Sequence, residues 1–249
     1  MLSSVGWAAL GVGFIFLMTS LGAASVLFCR EDALPKSQTG MMGFAGGVMT
    51  AASVWSMLLP AIEQTRAEGV LPCWLPAAAG TAAGAAFLCA LDALILRLRR
   101  GGSAEKSSML MTAITLHNIP EGMAVGLAFA LSGGSDGLTA AAALALGIGV
   151  QNVPEGAAVS LPLRRMGMSR GRAFSMGVLS GAVEPLFGML AVMAVSGISR
   201  IMPWLLGFSA GAMLYVVVCE LIPAADDRRG LFWYVTGFLL MMILDVALG

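Results

Sequence analysis

Eight apolar runs, each near 20 residues long and carrying few or no charges, follow one another along the chain: about 5 to 28, 41 to 62, 72 to 96, 108 to 131, 138 to 162, 173 to 197, 202 to 223 and 231 to 248. Such a run is the length of helix that crosses the hydrocarbon core of a bilayer. Together the runs use most of the 249 residues, leaving short loops and no room for a soluble domain. Only 11% of residues are charged, against roughly a quarter in soluble domains. In hydrocarbon every backbone polar group must be satisfied internally, and the alternating pattern of a membrane β-barrel is missing, so the spans are expected to be helices. The expected fold is an all-α integral membrane protein with eight transmembrane helices in a single domain, residues 1 to 249, with the lipid bilayer as its surroundings.

The charges orient it. The 14 basic and 14 acidic side chains balance, so nothing suggests nucleic acid as a partner, which would call for a basic surface. Met1 to Gly6 contains no Lys or Arg, whereas Arg30 and Lys36 follow the first run. A signal peptide has the opposite order, so the first span reads as a retained helix with an external N-terminus. With that start, inside loops hold Arg30, Lys36, Arg97, Arg99, Arg100, Lys106, Arg164, Arg165, Arg170, Arg172, Arg228 and Arg229. Outside loops hold only Arg66 and Arg200. The positive-inside rule then places both termini outside. Cys29, Cys73, Cys89 and Cys219 show no C-x-x-C spacing and read as small apolar residues.

The acids are distributed differently. Glu121, Glu155, Glu184 and Glu220 lie inside apolar runs, with Glu63, Asp92 and Asp245 nearer span ends, and no Lys or Arg accompanies them at depth. Each charged acid at a helix centre costs about 2.5 to 3.5 kcal/mol, so four unpaired ones would cost on the order of 10 kcal/mol. Protonation, or a cation the chain does not itself supply, has to offset this.

Two of the acids sit in near-duplicate segments. His117-Asn118-Ile119-Pro120-Glu121-Gly122-Met123-Ala124-Val125 aligns with Gln151-Asn152-Val153-Pro154-Glu155-Gly156-Ala157-Ala158-Val159, six of nine positions being identical. Residues four apart share a helical face, which pairs His117 with Glu121 and Gln151 with Glu155. Imidazole nitrogen and carboxylate oxygen suit Zn²⁺ and other first-row divalent ions. Pro120 and Pro154 free the carbonyls of Leu116 and Val150, and an opened helix beside these ligands is expected, as at transporter ion sites.

A second repeat concerns architecture. Gly43-Phe44-x-x-Gly47-x-Met49 recurs as Gly207-Phe208-x-x-Gly211-x-Met213, each followed by an L-[LI]-P-A turn, at Leu58 to Ala61 and Leu221 to Ala224. Spans 2 and 7 run in opposite directions, so the copies are inverted. The plan is an inverted 3+2+3 repeat, with spans 4 and 5 carrying the ligands between two triplets. The small-residue pairs Gly43/Gly47, Gly80/Gly84, Gly177/Gly181 and Gly207/Gly211 would allow close helix packing.

These motifs, Glu184 in span 6, eight spans and external termini resemble the ZIP (Zrt/Irt-like protein) family of divalent metal transporters, in particular its compact bacterial members, over essentially the whole chain. The resemblance implies a primary site of His117, Glu121, Gln151 and Glu155 with Met49, and a second of Asn118, Asn152 and Glu184 bridged by Glu121 and Glu155. It implies import of Zn²⁺ or Cd²⁺ toward the cytosol across a bacterial inner membrane, with periplasmic termini, as substrate rather than as resident cofactor. It further implies an elevator-like motion of spans 1, 4, 5 and 6 against spans 2, 3, 7 and 8, and a homodimer. Asn152 stands where some relatives carry Asp, and Arg97 to Ser107 lacks the histidines many relatives have there. Met49 favours Zn²⁺ or Cd²⁺, while carboxylates and amides also accept Fe²⁺ or Mn²⁺.

Glu63 and Asp245, at outer span ends, are candidate entrance ligands; Asp92 and Glu220, toward inner ends, are candidate exit ligands. A metal-selective channel with the same ligands is the alternative reading. An intramembrane metalloenzyme is disfavoured because H-E-x-x-H is absent, and an organic-substrate carrier because no basic or aromatic site is visible.

Overall fold

The computed structural model describes residues 3–28, 34–98, 104–132 and 134–248; the side chains of 34–38, 95, 96, 98, 104–114, 117, 136, 196–199 and 248 are outside that description. Among the described residues the protein is all-helical, with no strand. In chain order the helices are α1 (Ser4–Phe28), α2 (Leu34–Ala52), α3 (Leu59–Glu68), α4 (Leu75–Leu98), α5 (Ala104–Leu131), α6 (Gly134–Arg165), α7 (Arg170–Gly181), α8 (Val183–Met193), α9 (Val195–Val216), α10 (Ile222–Ala224) and α11 (Arg228–Leu248). Seven helical stretches are long and apolar enough to cross a membrane. The eighth expected span corresponds to α5, 28 residues long, whose described apolar portion is the shorter Asn118–Leu131.

The elements sort into two groups. α1, α5, α6, α7 and α8 pack on one another, led by the pairs α1 with α6 and α5 with α8. In the second group α2 lies along α11 and α4 along α9. The groups meet through α5 against α9 and α2 against α6. Small residues bring the second group together: a Cβ at Gly47 would run into the Tyr234 and Phe238 backbone of α11, and one at Gly211 into the Thr81 backbone of α4. Only glycine permits such contact, and close backbone approach is what drives helix association in lipid.

The expected opening of the helices at Pro120 and Pro154 is not what the chain does. Both prolines sit inside uninterrupted helices, α5 and α6. Irregularity falls instead in spans 2 and 7, at π-helical segments Ser53–Leu58 and Val217–Leu221. In the first, Leu59 N–H donates to Val54 O; in the second, Ile222 N–H donates to Val217 O. Each donor immediately precedes a proline, Pro60 or Pro223. A proline ring clashes with the carbonyl four residues back, and one wider turn relieves that clash while keeping the preceding N–H bonded. Span 6 is divided at Ala182, between α7 and α8. Pro185 cannot donate to Gly181 O, so the ladder is interrupted one turn before it. This leaves Glu184 in the first turn of α8, where the helix dipole favours negative charge.

Candidate metal centre

The paired motifs converge where α1, α5, α6 and α8 meet. Asn118 and Glu121 on α5, Gln151, Asn152 and Glu155 on α6, and Glu184 on α8 are all fully buried. No Lys or Arg is buried among the described residues. Three buried carboxyl groups therefore share a region that the described residues supply with amides and hydroxyls and with no buried Lys or Arg.

Two glycines set the helix spacing. Gly122, following Glu121, lies against the Glu184 backbone; Gly156, following Glu155, lies against the Thr19 backbone of α1. These contacts bring the ligand-bearing turns of four helices into one layer. Across it, Gln151 Nε2 donates to Glu121 Oε1 at 2.6 Å. This bond runs between α5 and α6 and so ties one motif to the other.

A second group of bonds lies beside it. Asn118 Nδ2 donates to Ser180 O and to Glu184 Oε1, each at 3.2 Å. Thr19 Oγ1 lies 2.7 Å from Glu184 Oε1. Asn152 Nδ2 donates to Thr19 Oγ1 at 3.0 Å and to Ile15 O at 3.4 Å. With one end of each side chain so engaged, the other is left over. Asn118 Oδ1, Gln151 Oε1, Asn152 Oδ1 and Glu184 Oε2 are buried acceptors with no hydrogen-bond partner among the described residues. A buried polar atom without a partner costs about 1–3 kcal/mol, and four acceptors in the same helical layer are what a cation would satisfy. Among the described residues no three His, Cys, Asp or Glu form a closed cage; the oxygens are divided between amides and carboxylates.

The other residues singled out from sequence are distributed as follows. The His117 side chain lies outside the described residues, though its place on α5 is one turn before Glu121. Met49, on α2, is fully buried, in the helix that meets α6 from the second group. Glu63 and Asp245 line one cavity of about 430 Å³ between spans 2, 5 and 8, together with Ser56 and Gly147. There Ser56 Oγ donates to Asp245 Oδ1 at 2.9 Å, while Asp245 Oδ2 has no hydrogen-bond partner among the described residues. Asp92 accepts a hydrogen bond from Tyr215 Oη at 3.1 Å where α4 meets α9, and Glu220 is half-buried on the second π segment. Thr19 was not evident from sequence, because a lone hydroxyl in an apolar span carries no motif. Only the helix packing shows that it touches two of the ligand candidates.

Comparison with known proteins shows the family. The ZIP zinc transporter family profile matches residues 101–245, which include both ligand motifs and Glu184. The chain belongs to the ZIP family of zinc transporters. It is 38% identical to zinc transporter GufA of Myxococcus xanthus, over 93% of this chain and 94% of that protein. With zinc transporter ZIPB of Bordetella bronchiseptica it shares 37% identity, over 98% of this chain and 82% of the relative. Zinc transporter ZIP11 of Homo sapiens is 34% identical, over 99% and 98% respectively. Membership in this family, with the seven apolar helices, makes the chain a multi-pass membrane transporter and not an enzyme.

Proposed function

We propose that this ZIP protein is a secondary transporter that imports divalent metal ions, Zn²⁺ foremost and Cd²⁺ with it, into the cytosol through a two-metal site between spans 4 and 5. The observation that carries this is the buried layer of Glu121, Glu155 and Glu184 with unsatisfied amide oxygens and, among the described residues, no buried Lys or Arg. His117, Glu121, Gln151, Glu155 and Met49 form the primary site; Asn118, Asn152 and Glu184 complete the second, with the two central glutamates shared. Asn152 gives that second site a neutral oxygen where an aspartate would give a charged one. Fe²⁺ and Mn²⁺ are weaker candidates, because the thioether of Met49 favours softer ions.

The motion is alternating access, spans 1, 4, 5 and 6 moving as a unit against spans 2, 3, 7 and 8. Its support is that the contacts fall into these same two groups. Eight spans in an inverted 3+2+3 arrangement, with both termini periplasmic, complete the topology. The packing supports the inversion: span 2 lies on span 8 as span 7 lies on span 3, and span 1 lies on span 5 as span 6 lies on span 4. A homodimer in the bacterial inner membrane is the proposed assembly. Glu63 and Asp245 attract cations at the outer cavity, and Asp92 and Glu220 serve the inner exit.

Reconstituted protein tests the carrier reading: initial Zn²⁺ uptake should saturate with concentration and be competed by Cd²⁺. Flux that rises linearly without saturation would favour a channel. Metal ligands must be deprotonated to bind, and imidazole titrates between about pH 5 and 8. The half-saturation concentration should therefore rise as external pH falls through that window, measured by initial rates at equal membrane potential. At the entrance, Glu63→Gln with Asp245→Asn should raise half-saturation about tenfold at low ionic strength while leaving the maximal rate unchanged, since a focused field raises local cation concentration. The difference should shrink as salt screens it.

A further inference from the structure

Thr19 is placed by two helices at once. Its backbone carbonyl lies against Gly156 of α6, and a Cβ at Gly181 of α7 would come within 2.8 Å of Thr19 Cγ2 and 2.9 Å of its Cβ. The side chain is thus wedged between spans 5 and 6, its methyl toward Gly181, and is fully buried. From there Oγ1 reaches Glu184 Oε1 at 2.7 Å and receives Asn152 Nδ2 at 3.0 Å. The hydroxyl has one hydrogen. Two acceptors lie within its reach, Ile15 O at 3.2 Å and the closer Glu184 Oε1 at 2.7 Å; given to Glu184, it leaves the lone pairs for the Asn152 amide, so one oxygen of Thr19 fixes two side chains on different helices.

The consequence is directional. Asn152 has both amide acceptors, Thr19 Oγ1 and Ile15 O, on α1. Its Oδ1 is therefore turned away from them, and it is one of the buried acceptors left without a partner. Glu184 has Oε1 engaged by Thr19 and Asn118, and Oε2 left over in the same way. Resting on the transport reading above, we propose that Thr19 is a positioning residue: it orients Asn152 and Glu184 so that each presents one oxygen to a cation at the second site. Outer hydrogen-bond partners of metal ligands act in this way, and their loss weakens metal affinity by about 10- to 100-fold.

Thr19→Val keeps the branched shape against Gly156 and Gly181 and removes only the hydroxyl. Thr19→Ser keeps the hydroxyl and removes the methyl. Purified wild type, Thr19→Val and Thr19→Ser, all in a background with Cys29, Cys73, Cys89 and Cys219 changed to Ser so that no thiolate competes for the ion, would be titrated with Cd²⁺ by isothermal calorimetry and assayed for Cd²⁺ uptake. The expected result is two classes of site in the wild type, with the weaker class reduced about tenfold or more in Thr19→Val and restored in Thr19→Ser. Half-saturation for uptake should rise in Thr19→Val with thermal stability held. Unchanged Cd²⁺ affinity in a folded Thr19→Val protein would overturn the positioning role while leaving the transport reading intact. A wild type that binds no Cd²⁺ would overturn the transport reading itself. Should Thr19→Val not yield monodisperse protein, Thr19→Ala against Thr19→Ser makes the same comparison, and equal affinity in that pair would overturn the role.

Discussion

Gly122→Val is expected to abolish metal uptake and to lower the thermal stability of the detergent-solubilised protein. A Cβ at Gly122 would run into Glu184 O and come within 2.6 Å of Glu184 Cα and 2.8 Å of its carbonyl carbon. All three atoms are backbone, so no rotamer change makes room, and α8 has to move away from α5. Overpacking of this kind costs about 1–3 kcal/mol, sometimes more. The functional damage should exceed the loss of stability, because the displaced backbone carries Glu184 and would lengthen its 3.2 Å bond from Asn118. Gly13 is the matched control. A Cβ there meets nothing within 4 Å, so Gly13→Ala should melt and transport as the wild type does. Thermal melts and uptake for the two variants side by side check the claim. Wild-type behaviour of Gly122→Val would mean that α5 and α8 do not approach as closely as described.

Replacing Glu121 is expected to have the largest effect on transport without unfolding the protein. Glu121→Ala removes a carboxylate that faces Gln151 across the α5–α6 contact and is shared between the two proposed metal positions. Uptake should fall to the level of empty vesicles, and metal retained through purification should fall with it. Glu121→Gln is the more informative change. Its amide oxygen can still accept from Gln151 Nε2, so shape and that hydrogen bond survive while the charge is lost. A decrease of about a hundredfold in uptake is expected, at or beyond the upper end of what outer-shell partners contribute. If the Gln variant transported normally, the glutamate would be holding the helices together rather than holding an ion.

The spans were legible because hydrocarbon permits so few solutions. The run read as 5 to 28 is the helix Ser4–Phe28, and that read as 231 to 248 is Arg228–Leu248. The candidate ligands stood out for a related reason: acids within apolar runs, twice in the same motif, have few explanations in a membrane. What could not be read depends on packing between helices. The i, i+4 rule puts Gln151 and Glu155 on one face of α6 but says nothing of the bond from Gln151 across to Glu121, because the glycine contacts set which turns face one another. Pro120 and Pro154 promised broken helices, yet the interruptions lie before Pro60, Pro223 and Pro185. A proline removes one backbone hydrogen bond wherever it stands, and the surrounding packing determines whether the helix widens, breaks or continues. Thr19 belongs to the same class, its role arising from the spacing of α1, α6 and α7.

Zinc influx into proteoliposomes with an entrapped fluorescent Zn²⁺ indicator, compared between wild type and His117→Ala at equal protein incorporation, decides whether this protein carries zinc through the buried site. Saturable influx is expected for the wild type and, for His117→Ala, a signal no greater than that of protein-free vesicles. Equal influx through both proteins, or none through a folded wild type, would contradict it.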